Sequence, residues 1–158
     1  MNDDVRIISG DGTVVIINRD GNITIRGSDS TVACDKSCTV TAGNFSIITA
    51  GDYSNITVRK FSKIRAGDYS TITSGDQSTI IGGHGSKIAG GNGSNITAGN
   101  DSIISGCVDS IVTGGVGSTL SVEYLDGKYT RVITEYVGEN GIEPDVPYHV
   151  VEGRLVKV

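Results

Sequence analysis

The chain has no tryptophan, one methionine, two prolines and three cysteines, and only a few apolar residues ever follow one another. Each scarcity closes off a class. A membrane-spanning helix needs about 18 or more consecutive apolar residues, so none is expected, nor is a membrane partner. The acidic start Met1-Asn2-Asp3-Asp4 lacks the basic and apolar regions of a secretory signal, which predicts a cytoplasmic protein. Cys34, Cys38 and Cys107 are too few, and odd in number, to staple a secreted scaffold. Positive charge is also scarce: 13 Lys and Arg stand against 18 Asp and Glu, for a net charge of −5. Without clustered cations to neutralise phosphates, nucleic acid is an unlikely partner. Disorder is excluded by the other half of the composition, because only 20% of the residues are charged and Ile and Val are frequent.

What the chain has in abundance is glycine, 23 residues in 158, and a repeat that organises it. Ser stands at 30, 46, 54, 62, 70, 78, 86, 94, 102, 110 and 118, with Cys38 filling the gap, and two residues after each comes Val, Ile or Leu without exception. Gly precedes the Ser by three in nine of the twelve octads, usually after another small residue. The consensus is small-Gly-x-x-Ser-x-Ile-x. In extended backbone the small residue, the Ser and the Ile share one face, because all are at even spacing. The Gly is expected to supply a corner that other residues would enter only at a φ penalty. One strand and one corner per octad make a two-sided all-β solenoid with 16-residue coils, in which Ile stacks on Ile and Ser on Ser. Aromatics agree with the 16-residue offset: Phe45 with Phe61 on one edge, Tyr53 with Tyr69 on the other. A helix is excluded, since a period of eight traces no 3.6-residue face.

Residues 26–121 therefore form about six coils. Residues 1–25, with turn signals at Asp11-Gly12 and Asp20-Gly21, read as a strand meander capping the first coil. Both prolines and all five glutamates fall after residue 121, which marks 122–158 as a C-terminal β cap and oligomerisation domain. Asp126-Gly127 and Glu152-Gly153 predict two hairpins there. A segment of this size builds little core alone, so it is expected to pack on the last coil or on a second copy of the chain.

Segments such as Ala66 to Thr73 (AGDYSTIT) and Gly90 to Thr97 (GGNGSNIT) resemble the octapeptide repeats of bacterial ice-nucleation proteins. The resemblance implies a flattened two-sided solenoid and, as a rival function, a structural, ice-binding or filament-forming role. Complete Thr-x-Thr sites occur here only at Thr39/Thr41 and Thr71/Thr73. The repeats together with the tail Gly141 to Val158 also resemble small octapeptide-solenoid proteins of bacteriophages and related mobile elements. That resemblance implies a mobile-element origin.

The most distinctive interruption of the repeat is Val58 to Arg65, where Arg59, Lys60, Lys63 and Arg65 surround Phe61 close to Tyr53 and Tyr69. Two readings stand. One is a binding patch for a protein or a small phosphate-containing partner, with aromatic rings as stacking platforms; the other is a solvated coil whose long side chains cover their neighbours. Asp52, Asp68 and Asp76 sit at corners, where Asp serves turn geometry. The glycines around Lys87 match neither a phosphate loop nor the nine-residue calcium repeat, so no cofactor and no metal are expected. Cys34 and Cys38 occupy inward positions as core substitutes. His84 and His149 stand apart from any nucleophile motif, so no enzyme is expected. The reading that results is a non-enzymatic, phage-type binding or inhibitor protein that blocks a host macromolecule or ligand, assembled as a homo-oligomer.

Overall fold

A computed structural model describes residues 5–17 and 21–158 of the chain. One sheet, here the A face, contains β1 (Val5–Ser9), β3 (Asn22–Arg26), β5 (Thr39–Thr41), β7 (Asn55–Thr57), β9 (Thr71–Ser74), β11 (Lys87–Gly90), β13 (Ile103–Gly106), β15 (Thr119–Asp126) and β16 (Tyr129–Tyr136), in that order. The opposite B face runs from β2 (Val14–Ile17) through β4 (Thr31–Cys34), β6 (Ile47–Thr49), β8 (Lys63–Arg65), β10 (Thr79–Gly82), β12 (Asn95–Ala98) and β14 (Ile111–Gly114) to β17 (Tyr148–Val151) and β18 (Arg154–Lys157). Every pairing up to β13–β15 is parallel, and Ile56 lies on Ile72, Ile72 on Ile88 and Ile88 on Ile104. The chain is a two-sided β-solenoid of about seven coils.

The core follows from the alternation. Ile48, Ile56, Ile72, Ile80, Ile96 and Ile104 are each at most 2% exposed, and the serines beside them are as deeply buried. Burying an Ile side chain contributes about 1.5–3 kcal/mol, so the Ile columns are the principal apolar stabilisation. A buried hydroxyl costs free energy unless it is bonded. Here each coil bonds the next: the backbone N–H of Ser46, Ser54, Ser62, Ser78, Ser86, Ser94 and Ser102 donates to the Oγ of the Ser sixteen residues on, at 3.1–3.3 Å. The hydroxyls donate in turn to corner carbonyls, as Ser54 does to Gly51 at 2.9 Å. Cys38 takes the same place, its thiol donating to the Asp35 carbonyl.

Two expectations need correction. The N-terminal strands are not a meander: β1 pairs with β3, β3 with β5 and β2 with β4, all parallel, so they are solenoid coils. Their register hid them, because Val5 matches Asn22 and Asn22 matches Thr39, an offset of 17 where later coils use 16. Ser9 and Arg26 are the extra residues, paired with each other. The Asp20-Gly21 turn signal lies partly outside the described residues.

The second correction concerns the repeated Gly. Positive φ belongs instead to the residue two places later, filled by Asp29, Ser37, Phe45, Tyr53, Phe61, Tyr69, Gln77, Gly85, Gly93, Asp101, Asp109 and Gly117. The repeat glycine is required by close approach between coils. A Cβ on Gly43 would stand 2.2 Å from the Gly27 carbonyl oxygen, and one on Gly99 2.8 Å from the His84 nitrogen.

At the C-terminal end the parallel order stops. β15 starts as a coil strand on β13 and continues past it into an antiparallel hairpin with β16. The supposed boundary at residue 121 therefore falls inside one strand. β17 and β18 form the second expected hairpin, attached to β14 through Val112 and Tyr148. Tyr148 is 2% exposed and plugs the coil end, and its hydroxyl accepts the Glu143 N–H at 2.8 Å.

Candidate functional site

Corners stack as strands do, and this separates the predicted site residues by place. Arg59, Lys60 and Phe61 stand on the edge that links the A face to the B face. Lys63 and Arg65 point outward from β8 on the B face, flanked by Ile47 and Thr79 and by Thr49 and Ile81. Tyr53 and Tyr69 line the opposite edge. The structure therefore brings together the first three, and leaves the tyrosines a strand's width away.

On the first edge Phe45 and Phe61 stack with ring centroids 5.0 Å apart and planes 6° from parallel. The two residues are 51% and 45% exposed. Both sit at left-handed backbone, φ 56° and 59°, where a residue with a Cβ pays about 1–2 kcal/mol. A stacked pair returns about 0.5–1.5 kcal/mol, less than the two strained residues cost together. The same left-handed place is taken by Tyr53 and Tyr69 on the opposite edge and by Asp, Ser, Gln and Gly at other corners, so what sets this edge apart is a pair of phenyl rings next to Arg59 and Lys60 in the chain.

On the same edge a shallow concavity of about 380 Å³ is lined by Arg26, Ser28, Gly43, Asn44 and Arg59, among others, but by neither ring; Phe61 lines a separate hollow with Lys60, Asp76 and Asp109. Arg59 takes the place of a repeat glycine, in line with Gly43, toward which its N–H points at 3.4 Å. Among the described residues neither Arg26 nor Arg59 has an ion-pair partner. Lys60 does: its Nζ lies 2.7 Å from Asp76 Oδ2, and that contact, with the Asn92 N–H, holds the Asp76 carboxyl below its ordinary value. Lys60 is thus paired with a carboxylate, whereas Arg26 and Arg59 are not. Arg26 was not singled out from sequence. It is the inserted residue of its coil, so it falls outside the octad pattern and far in sequence from the basic run.

The other edge repeats the arrangement with different residues. Tyr53 and Tyr69 stack at 5.4 Å, and His84 meets Tyr69 edge-on at 5.2 Å. Asp52 Oδ1 accepts the Asp68 N–H and Asp68 Oδ1 the His84 N–H, so these corner carboxylates hold successive coils together. No group of three or more His, Cys, Asp or Glu able to hold a metal occurs among the described residues. Burial pushes the Cys34 thiol well above its ordinary value, with Cys38 and Asp35 adding to the effect. Cys107 is raised in the same direction by burial and by Glu123. Neither thiol is poised as a nucleophile.

Geometry and chemistry define a class at this point: a rigid β-solenoid with an aromatic and arginine-bearing edge. Comparison with protein-family models, with curated proteins and with solved structures found no match.

Proposed function

We propose that the chain is a non-enzymatic binding protein of mobile-element origin that blocks a host macromolecule or ligand by engaging an acidic or phosphate-bearing group at the Phe45–Phe61 edge. The observation that carries this reading is that one edge bears both the exposed, stacked Phe45 and Phe61 rings and a concavity lined by Arg26 and Arg59, which have no ion-pair partner among the described residues. Arg guanidinium presents a planar fork matched to phosphate and carboxylate, and the rings offer a face for an attached planar group. Lys63 and Arg65 extend positive charge from this edge across the B face. The protein acts as a homo-oligomer assembled through residues 122–158, which would present more than one such edge to a partner.

A pull-down from host lysate with the wild type and with an Arg26→Glu/Arg59→Glu variant tests the reading. The wild type is expected to retain a partner that the variant loses. Retention of no partner, or of the same partners by both, overturns it.

A structural role has one observation in its favour. On the A face Thr24, Thr41, Thr57 and Thr73 stack in one outward column beside Asn22, Thr39, Asn55 and Thr71. Ice shaping by the wild type that disappears on Thr41→Lys/Thr57→Lys substitution would establish that reading; unaltered ice growth in the presence of the wild type removes it.

A further inference from the structure

The two hairpins leave sheet ends of different character. β18 closes the B face with four residues, two of them Arg154 and Lys157, and charged short edges resist pairing with another strand. β16 closes the A face with eight residues, Tyr129–Tyr136, and includes neither proline nor lysine. Tyr129, Val132 and Tyr136 are 59%, 61% and 52% exposed, and Ile133 is only partly covered by the core. A long, unpaired edge of this kind, with exposed Tyr129, Val132 and Tyr136, is a template for another strand.

The ladder determines which groups are on offer. The Val137 N–H donates to the Ser118 carbonyl, which makes that a hydrogen-bonded pair of the β15–β16 ladder. Counting along the pairing, Glu135–Leu120, Ile133–Val122 and Arg131–Tyr124 are also hydrogen-bonded pairs. Thr130, Val132, Thr134 and Tyr136 therefore turn their amides away from β15, toward the free edge.

We infer that β16 is the interface between two copies of this chain, paired antiparallel with itself about a two-fold axis at Ile133. The register follows from two conditions. Residues that bond across the edge must both belong to the outward set, so partners in the pairing share parity. Of the registers left, the one centred on Ile133 sets Thr130 on Tyr136, Val132 on Thr134 and Arg131 on Glu135 of the second copy, twice by symmetry. Unlike charges then face each other, and the half-covered Ile133 meets its own copy at the axis. In the single chain Arg131 pairs with Asp126 and Glu135 accepts from Asn140, exposed contacts that a facing copy would have to share or displace. The two-fold requires an isologous contact that closes at two chains, and a nine-stranded sheet becomes continuous through the pair.

This inference deepens the oligomer in the proposed function by naming its strand and symmetry. Light scattering of the wild type is expected to give twice the chain mass of 16.4 kDa. Val132→Pro removes an N–H that points away from β15, so it is expected to give a folded chain of single mass. Arg131→Glu is expected to weaken the dimer about tenfold, and Arg131→Glu/Glu135→Arg to restore it. Ile133→Cys should cross-link to a dimer on mild oxidation, since facing Cα atoms in such a pair are about 4.5 Å apart, while the wild type with its native thiols should not. A single-mass wild type at high micromolar concentration overturns both this interface and the oligomer. An oligomer that survives Val132→Pro and gives no cross-link at 133 overturns the interface and leaves oligomerisation through another surface. Neither result bears on the Arg26–Arg59 edge.

Discussion

Replacing Gly99 by Ala tests whether the repeat glycine is there for close approach between coils or for backbone freedom. The added Cβ would lie 2.8 Å from the His84 nitrogen, 3.0 Å from the Gly83 carbonyl carbon and 3.1 Å from the His84 Cα. All three are backbone, so no side chain can swing aside. Relieving them to ordinary contact means parting the coils by roughly half an ångström at this corner. The Gly99 N–H, which reaches the Gly82 and Gly83 carbonyls at 3.2 and 3.3 Å, would then pass out of hydrogen-bond range. Buried backbone groups left unpaired cost about 1–3 kcal/mol each, and the stiffer unfolded chain returns about 0.4–1 kcal/mol. The expected net loss is about 2–3 kcal/mol. Gly93 is the matching control, because it has φ +62° and its nearest contact is an ordinary 3.5 Å to Gln77 Cγ. Gly93→Ala should cost about 1 kcal/mol from left-handed strain alone, and Gly93→Asn close to nothing. Urea unfolding followed by circular dichroism gives both numbers. A Gly93→Ala variant as destabilised as Gly99→Ala, or more so, would refute the close-approach argument.

Further consequences follow from the same geometry. Ile72→Asp places a charge at a site 1% exposed and should cost more than about 4 kcal/mol, whereas Thr73→Asp on the outer face should stay within about 0.5 kcal/mol; comparable unfolding midpoints would contradict the inward register. Ser102→Ala strips the Ser86 N–H of its buried acceptor and should cost about 1–3 kcal/mol in the same assay, with no loss disproving the Ser ladder. The Cys34 thiol is raised in the fold, so the folded chain holds its proton while the unfolded chain releases it above the ordinary value of 9.0. Its contribution is complete below that value and is lost as pH rises above it. Cys34→Ala should therefore flatten the alkaline fall in stability, and thiol reagents should modify the half-buried Cys34 more slowly at neutral pH in the folded chain than after denaturation.

The solenoid was legible in the sequence because each inward column is filled by one residue type: Ser, Ile and a small residue recur at fixed spacing, and alternation assigns their faces. The first coil was not, because Ser9 and Arg26 each add a residue and break the period at the point where Ser also drops out of the column. The role of the repeat Gly could not be read because both explanations demand the same residue; only inter-coil distances separate them. The candidate site was half legible. Phe45, Phe61 and Arg59 stood out as departures from the consensus, but Lys60 gave no sign of its Asp76 partner, and Arg26 reaches the same concavity from an insertion two coils away. Tyr53 and Tyr69, near the basic run in sequence, are carried to the far edge by the widths of β7 and β8 respectively.

In the proposed function Arg26, Arg59 and the Phe45–Phe61 pair share one anion-binding edge. Nuclear magnetic resonance of the labelled protein, titrated with pyrophosphate and with an aryl phosphate, tests it most directly. Shifts are expected only at Arg26, Gly43, Asn44 and Arg59 for both probes, with the Phe45 and Phe61 rings responding only to the aryl compound. Shifts centred on Lys63 and Arg65, on the tyrosine edge, or nowhere, would contradict it.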